Sequence, residues 1–152
     1  MQVFNMILLC LFFITQANAE IFDDVSVSSL SDYSERSLDS IADKKSIIVV
    51  FSKDCVHCKS HFQSLHKCYK SSSKIIPISV DSDRKKVKKY WRSMNLPFPA
   101  WMGSKTFNKK FTSLKKNLPY SYFHYQNRYY PIGAGPISCE RISQLSSFKS
   151  KA

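Results

Sequence analysis

Glycine is scarce in this 152-residue sequence, with three residues beside six prolines. That excludes a collagen-like repeat and a Gly-rich low-complexity chain. Long apolar runs are also missing. The longest, Met6–Ile14, has nine residues, whereas a membrane-spanning helix needs about 20. Acidic residues are few, 11 against 23 Lys and Arg, and the formal net charge is +12. Such basicity first suggests a binder of nucleic acid or acidic membranes. A disordered basic tail is excluded, because 43% of residues are hydrophobic and 14% aromatic, enough for a core. Five cysteines are too few for a disulfide-dense miniprotein and too many to pass over.

The first 19 residues carry no charged side chain. Their apolar run is followed by Ala17-Asn18-Ala19, which places small residues where a signal peptidase reads. This is the pattern of a secretory signal peptide, although its positive end rests on the α-amine alone. Cys10 follows Leu9 rather than a small residue, which argues against a lipoprotein. The expected division is residues 1–19 as signal peptide, 20–45 as an acidic N-terminal segment and 46–152 as the main domain. Export puts nucleic acid out of reach. It also leaves four cysteines in a disulfide-permissive compartment.

Charge is uneven in the remainder. Glu20–Asp43 holds seven acids and one base, a net of −6, and Lys44–Ala152 holds 22 bases and four acids, a net of +18. The acidic segment reads as a loop and a short helix near residues 34–42, lying against the basic body. Ser46–Phe51 is a continuous apolar, β-branched run that suits a strand buried on both faces. Cys58, Phe62, Leu65 and Tyr69 then recur at helical spacing. Lys74–Asp81 is a second strand, expected at an edge or with a bulge because Pro77 lacks a ladder donor. Asp81 or Ser82 caps a Lys-rich helix to about Met94, which Pro97 and Pro99 end. A short helix over 105–116 follows, with Phe107, Phe111 and Leu114 inward. Strands at 120–125 and 129–132 flank a turn at Gln126–Arg128. Ser138 opens a last helix with Ile142, Leu145 and Phe148 on one face. The order β-α-β-α-(α)-β-β-α implies an α/β fold, a mixed sheet sandwiched by helices.

Between the buried strand and its helix lies Cys55-Val56-His57-Cys58. A helix N-terminus offers unpaired N–H groups and about half a positive charge. That stabilises a thiolate at Cys55, and the thiolate is the nucleophile. Cys58, one turn on, is the resolving partner in exchange through a mixed disulfide. His57 adds charge or a donor beside the thiolate and makes the disulfide more oxidising. Asp54 works against it by raising the Cys55 pKa. A structural disulfide this short would crosslink little. A zinc site usually needs two ligand pairs, and one helix turn cannot surround a metal with Cys55, His57, Cys58 and His61. A c-type haem site needs His after the second cysteine, and Lys59 stands there. No metal or cofactor is expected.

These residues carry a resemblance. IIVVFSKDCVHC, IIPISVDSDRKKVKKYW with NLPFP, and NLPYSYFHYQNRYYPIGAG resemble the thioredoxin-like superfamily. The style is that of extracytoplasmic thiol–disulfide oxidoreductases of the TlpA/ResA and Dsb groups. The resemblance covers Ser46–Phe148. It implies a thioredoxin-like fold, disulfide exchange with protein thiols, and export across the inner membrane to a bacterial periplasm. It makes Pro119 a cis-proline facing the cysteines and Leu118 a peptide-binding backbone position. Two departures stand out. Lys53 and Asp54 occupy positions where many members carry aromatic residues. Val49 stands where many hold a buried carboxylate that moves protons for the second cysteine.

The other cysteines are expected apart. Cys68 lies about 15 Å along the helix from Cys58 at 1.5 Å per residue, and Cys139 is expected towards the active-site end. A bond between them would exceed the usual Cα limit of about 7 Å, so buried thiols are the simpler expectation, with a second disulfide the alternative. His61 and His66 are expected to face solvent, and His124 to be a partly exposed strand residue. The Lys-rich helices are solvated faces or a dock for an acidic partner or an anionic membrane surface. Competing readings are a copper- or other metal-binding chaperone and a redox-inactive partner-binding domain. The direction of electron flow stays open.

Overall fold

The computed structural model describes residues 22, 24–68, 74–111, 113 and 117–147. The signal-peptide segment, Tyr69, Leu114 and Phe148 lie outside them. The elements are β1 (Ser26–Ser29), β2 (Glu35–Ser37), α1 (Leu38–Ile41), β3 (Lys45–Phe51), α2 (Cys58–Cys68) and β4 (Lys74–Ser79). They continue with α3 (Arg84–Ser93), β5 (Trp101–Gly103), α4 (Lys105–Phe111), β6 (Tyr120–Tyr125), β7 (Arg128–Ala134) and α5 (Cys139–Ser147). The seven strands form one mixed sheet in the order β2-β1-β5-β4-β3-β6-β7.

The expected strand at 46–51 is β3, and its residues from Ser46 to Phe51 are all buried. It pairs with β4 in parallel and with β6 antiparallel, so it has no free edge. The crossovers β3-α2-β4 and β4-α3-β5 step across the sheet in one direction. Right-handed connections therefore place α2 and α3 on the same face. Phe51 touches both helices, with ring centroids 5.1 Å from Phe62 and 5.4 Å from Trp91. Helix α4 lies on the opposite face, the side of Tyr122 and its ladder partner Ile48. There Phe111 lies 5.8 Å from Tyr122 and 5.4 Å from Phe22. Alternation along β3 thus assigns Ile47, Val49 and Phe51 to the α2 face. Gly103 leaves room for α4, because a Cβ there would collide with the Phe107 ring. The β6–β7 hairpin turns on Gln126 and Asn127, both at positive φ, the geometry that matches strand twist.

Several local expectations change. β4 is an interior strand, but its pairing to β5 covers only Ile78 and Ser79. Pro77 lies where β3 alone pairs, in an unshifted register with Val49, so neither an edge nor a bulge is needed. Asp83, rather than Asp81 or Ser82, caps α3 by accepting from Lys86 N–H. The acidic segment adds β1 and β2 to the sheet and ends in α1. Val25, Val27, Leu30, Leu38 and Ile41 enter the core, so apolar burial holds this segment. Among the described residues, Asp43–Lys74 at 3.7 Å is the one ion pair it makes to the basic body.

Candidate redox site

β3 delivers the chain to the site, and the loop Ser52–His57 turns it into α2. Cys55 N–H donates to Ser52 O at 3.1 Å and Cys58 N–H to Cys55 O at 3.2 Å. These turns bring Cys55 and Cys58 to a Cα separation of 5.4 Å, and the two sulfurs are bonded. Cys55 is half-buried and Cys58 fully buried. Cys55 is therefore the more accessible of the two. Val56 is 85% exposed, and His57 is also at the surface. Asp54 forms an ion pair with Lys53, and this partner raises the Lys53 pKa.

The loop has a brace that sequence reasoning missed. Asp81, just past β4, accepts the Ser52 hydroxyl at 2.8 Å, the Lys53 N–H at 2.8 Å and the Ser79 hydroxyl at 2.8 Å. The available signal was an aspartate just after a buried strand, at the end of the sheet where the neighbouring loop emerges.

The second side of the site is the start of β6. Leu118–Pro119 is a cis peptide. Tyr120 pairs with Val50, so Pro119 falls level with Phe51, at the sheet end from which the cysteine loop departs. Leu118 and Pro119 are buried, and Pro119 O accepts Gly135 N–H at 2.8 Å. Below this level, Val49 is fully buried and faces Ser121 across the β3–β6 ladder. No acid occupies that position. The Ser121 hydroxyl is buried and has no hydrogen-bond partner among the described residues.

Two expectations about side chains fail here. Cys68 and Cys139 are bonded to each other, with Cα atoms 5.4 Å apart. The chain after β7 descends along α2 before α5 begins, since Ile137 N–H already meets His61 Nδ1 at 3.4 Å. Cys139 therefore starts its helix beside the far end of α2. His61 and His124 are buried, at 1% and 3% exposure. α5 covers the flank of α2 that carries His61, and His124 Nδ1 lies 2.8 Å from Asp43 O. His66 is exposed as expected. Among the described residues no group of three or more His, Cys, Asp or Glu side chains is placed to hold a metal ion.

The fold and the paired cysteines define a thioredoxin-like domain. Solved structures share it. One is a thioredoxin-related protein from Neisseria meningitidis serogroup B, 16% identical with a TM-score of 0.64, covering 79% of this chain and 95% of that one. Another is a secreted Mycobacterium tuberculosis disulfide oxidoreductase homologous to E. coli DsbE, 13% identical with a TM-score of 0.63, covering 82% and 95%. StoA from Bacillus subtilis is 16% identical with a TM-score of 0.59, covering 81% and 96%. No family model and no curated protein sequence matches the chain.

Proposed function

We propose that this chain is an extracytoplasmic thiol–disulfide oxidoreductase that exchanges disulfides with protein substrates. The observation that carries this reading is the Cys55–Cys58 disulfide at the start of α2, with Cys55 half-buried and Cys58 fully buried, level with the cis Leu118–Pro119 bond. A substrate thiolate attacks Cys55 Sγ. The Cys55–Cys58 bond breaks, and its electron pair goes to the Cys58 sulfur. The substrate's second thiolate attacks the substrate sulfur of the mixed disulfide and releases Cys55 as a thiolate. The substrate dithiol loses two electrons and two protons. The cysteine pair gains the electrons, and the protons go to its thiolates or to solvent. Run backwards, the same steps reduce a substrate disulfide.

Cys55 is the nucleophile and Cys58 the resolving cysteine. His57, exposed between them, and Asp54, paired with Lys53, adjust the thiolate. Leu118 and Pro119 form the wall against which a peptide lies, and the exposed Val56 side chain is a further contact.

The location follows from two supports. The first 19 residues have a signal-peptide pattern, and Cys68–Cys139 is a second disulfide that an oxidising compartment preserves. We assign residues 1–19 to a cleaved leader and the working protein to the periplasm. Residues 20–45 then belong to the mature chain.

A thiol-trapping titration against glutathione tests the reading. Cys55 and Cys58 are expected to interconvert reversibly between dithiol and disulfide. A potential near that of thioredoxin, about −270 mV, assigns a reductant, and one near −120 mV an oxidant. A pair that never exchanges with glutathione refutes the enzyme reading.

A further inference from the structure

His61 is the most deeply buried histidine of the chain, at 1% exposure, and it lies on α2 one turn after Cys58. Residues three apart on a helix share a face, with Cβ atoms about 5–6 Å apart. Cys58 is itself fully buried, so both side chains lie on the buried side of α2. His61 Nδ1 accepts the N–H of Ile137 at 3.4 Å. An imidazole that accepts at Nδ1 carries its proton on Nε2. That Nε2 is buried and has no partner among the described residues. A buried donor without an acceptor is destabilising, so the site favours any state that supplies one.

The surroundings supply no charge. Val49, at the position opposite Ser121, is apolar and fully buried. Ser121 lies on the same sheet face, with its own hydroxyl unpartnered. Phe62 stands beside the imidazole, ring centroids 5.9 Å apart. On the remaining side are the Ile137 backbone and, two turns along α2, the Cys68–Cys139 disulfide. Burial lowers the His61 pKa to about 4, and no charged side chain contributes to that shift.

We propose that the Nε2–H of His61 is a hydrogen-bond donor to the Cys58 sulfur in the reduced protein, stabilising the thiolate released when the Cys55–Cys58 bond breaks. This rests on the disulfide-exchange reading above. It also gives that reading a direction. With a donor beside Cys58 and no carboxylate at Val49, the thiolate form is favoured and the disulfide becomes the more readily reduced species. The protein is then an oxidant of substrate dithiols. The Ile137 N–H at Nδ1 keeps the single ring proton of the neutral imidazole on Nε2.

The test uses the full chain with two substitutions, His61→Leu and His61→Gln. The glutamine amide N–H reaches a place close to Nε2–H and keeps the donor. Exchange with glutathione is followed by thiol trapping, and the Cys58 pKa by its alkylation rate in a Cys55→Ala background. His61→Leu is expected to shift the equilibrium with glutathione about tenfold or more towards the disulfide, as for a lost hydrogen bond to a charged group. It should raise the Cys58 pKa as well. His61→Gln is expected to restore most of both values. Shifts that are absent in His61→Leu, or equal in both variants, overturn the proposal. If His61→Leu does not fold, the wild-type protein still decides. The Nε2–H proton resonance is expected to move when the Cys55–Cys58 disulfide is chemically reduced, and an unchanged resonance overturns the proposal. A wild-type cysteine pair that does not exchange with glutathione refutes the enzyme reading instead. The resonance measurement is independent of that result.

Discussion

Asp81 accepts the backbone N–H of Lys53 at 2.8 Å, two residues before the first cysteine. The same carboxylate takes the Ser52 and Ser79 hydroxyls. One side chain therefore joins the end of β4 to the loop that presents Cys55. Asp81→Ala leaves these donors without their acceptor and is expected to lower stability by about 1–3 kcal/mol, measured as a shift in the urea midpoint. The loop should also loosen, so that alkylation of reduced Cys55 no longer follows a single-exponential course. Unchanged stability and uniform alkylation would show that water replaces the brace at no cost.

Cys68 and Cys139 are separated by 71 residues. Closing a loop of that length removes unfolded-state entropy worth about 4 kcal/mol in the chain-entropy account. The double variant Cys68→Ser/Cys139→Ser is expected to lose stability on that order while keeping the Cys55–Cys58 potential. A change of potential without loss of stability would mean that the second disulfide serves the redox site rather than the frame.

Burial of His61 also predicts a pH dependence. Its folded pKa, about 4, lies below the ordinary value of 6.5. The unfolded chain therefore takes up a proton that the native state refuses. Stability from this group is fully present above about pH 6.5 and falls as the pH drops towards 4. Between pH 7 and pH 5 the loss amounts to about 2 kcal/mol. Urea unfolding at the two pH values measures it, and His61→Gln should remove this part of the slope. A slope retained in His61→Gln would assign it to another group.

The basic body predicts salt sensitivity. α3 carries Arg84, Lys85, Lys86, Lys88, Lys89 and Arg92 and has no acid within it. Arg84 and Lys88 are turned against the β1–β2 turn, where both lie over the Tyr33 ring at 4.9 Å. Lys86 pairs with Asp83 at 3.3 Å, and a docking role for Lys85, Lys89 and Arg92 on an acidic protein partner predicts a salt effect. Exchange with an acidic substrate protein should slow as ionic strength rises past 0.1 M, where the screening length is about 10 Å. Exchange with glutathione should change far less. Equal salt dependence for both would remove the docking role.

Much of the site was legible because its signals are local. A buried β-branched run, Cys-x-x-Cys and a helical stripe lie within the 23 residues Ser46–Cys68. Their geometry depends on neighbours in sequence. The cis bond at Leu118–Pro119 agrees with the resemblance, which set it just before the hairpin. β1, β2 and β5 were not foreseen, since three- and four-residue strands carry too little alternation to read. Asp81 looked like a helix cap because capping is the local use of an aspartate there. Its partners are 28 and 29 residues away.

Local pattern was enough for the α/β class and for a Cys55–Cys58 pair between a buried strand and its helix. The tertiary structure decided which cysteines pair beyond that site, which histidines are buried and how the acidic segment is held. The reason is the path of the chain. Periodicity shows that a helix has an apolar face, but crossover direction and the descent of the chain before α5 choose what covers it. That descent brought Cys139 to Cys68 and closed Ile137 over His61.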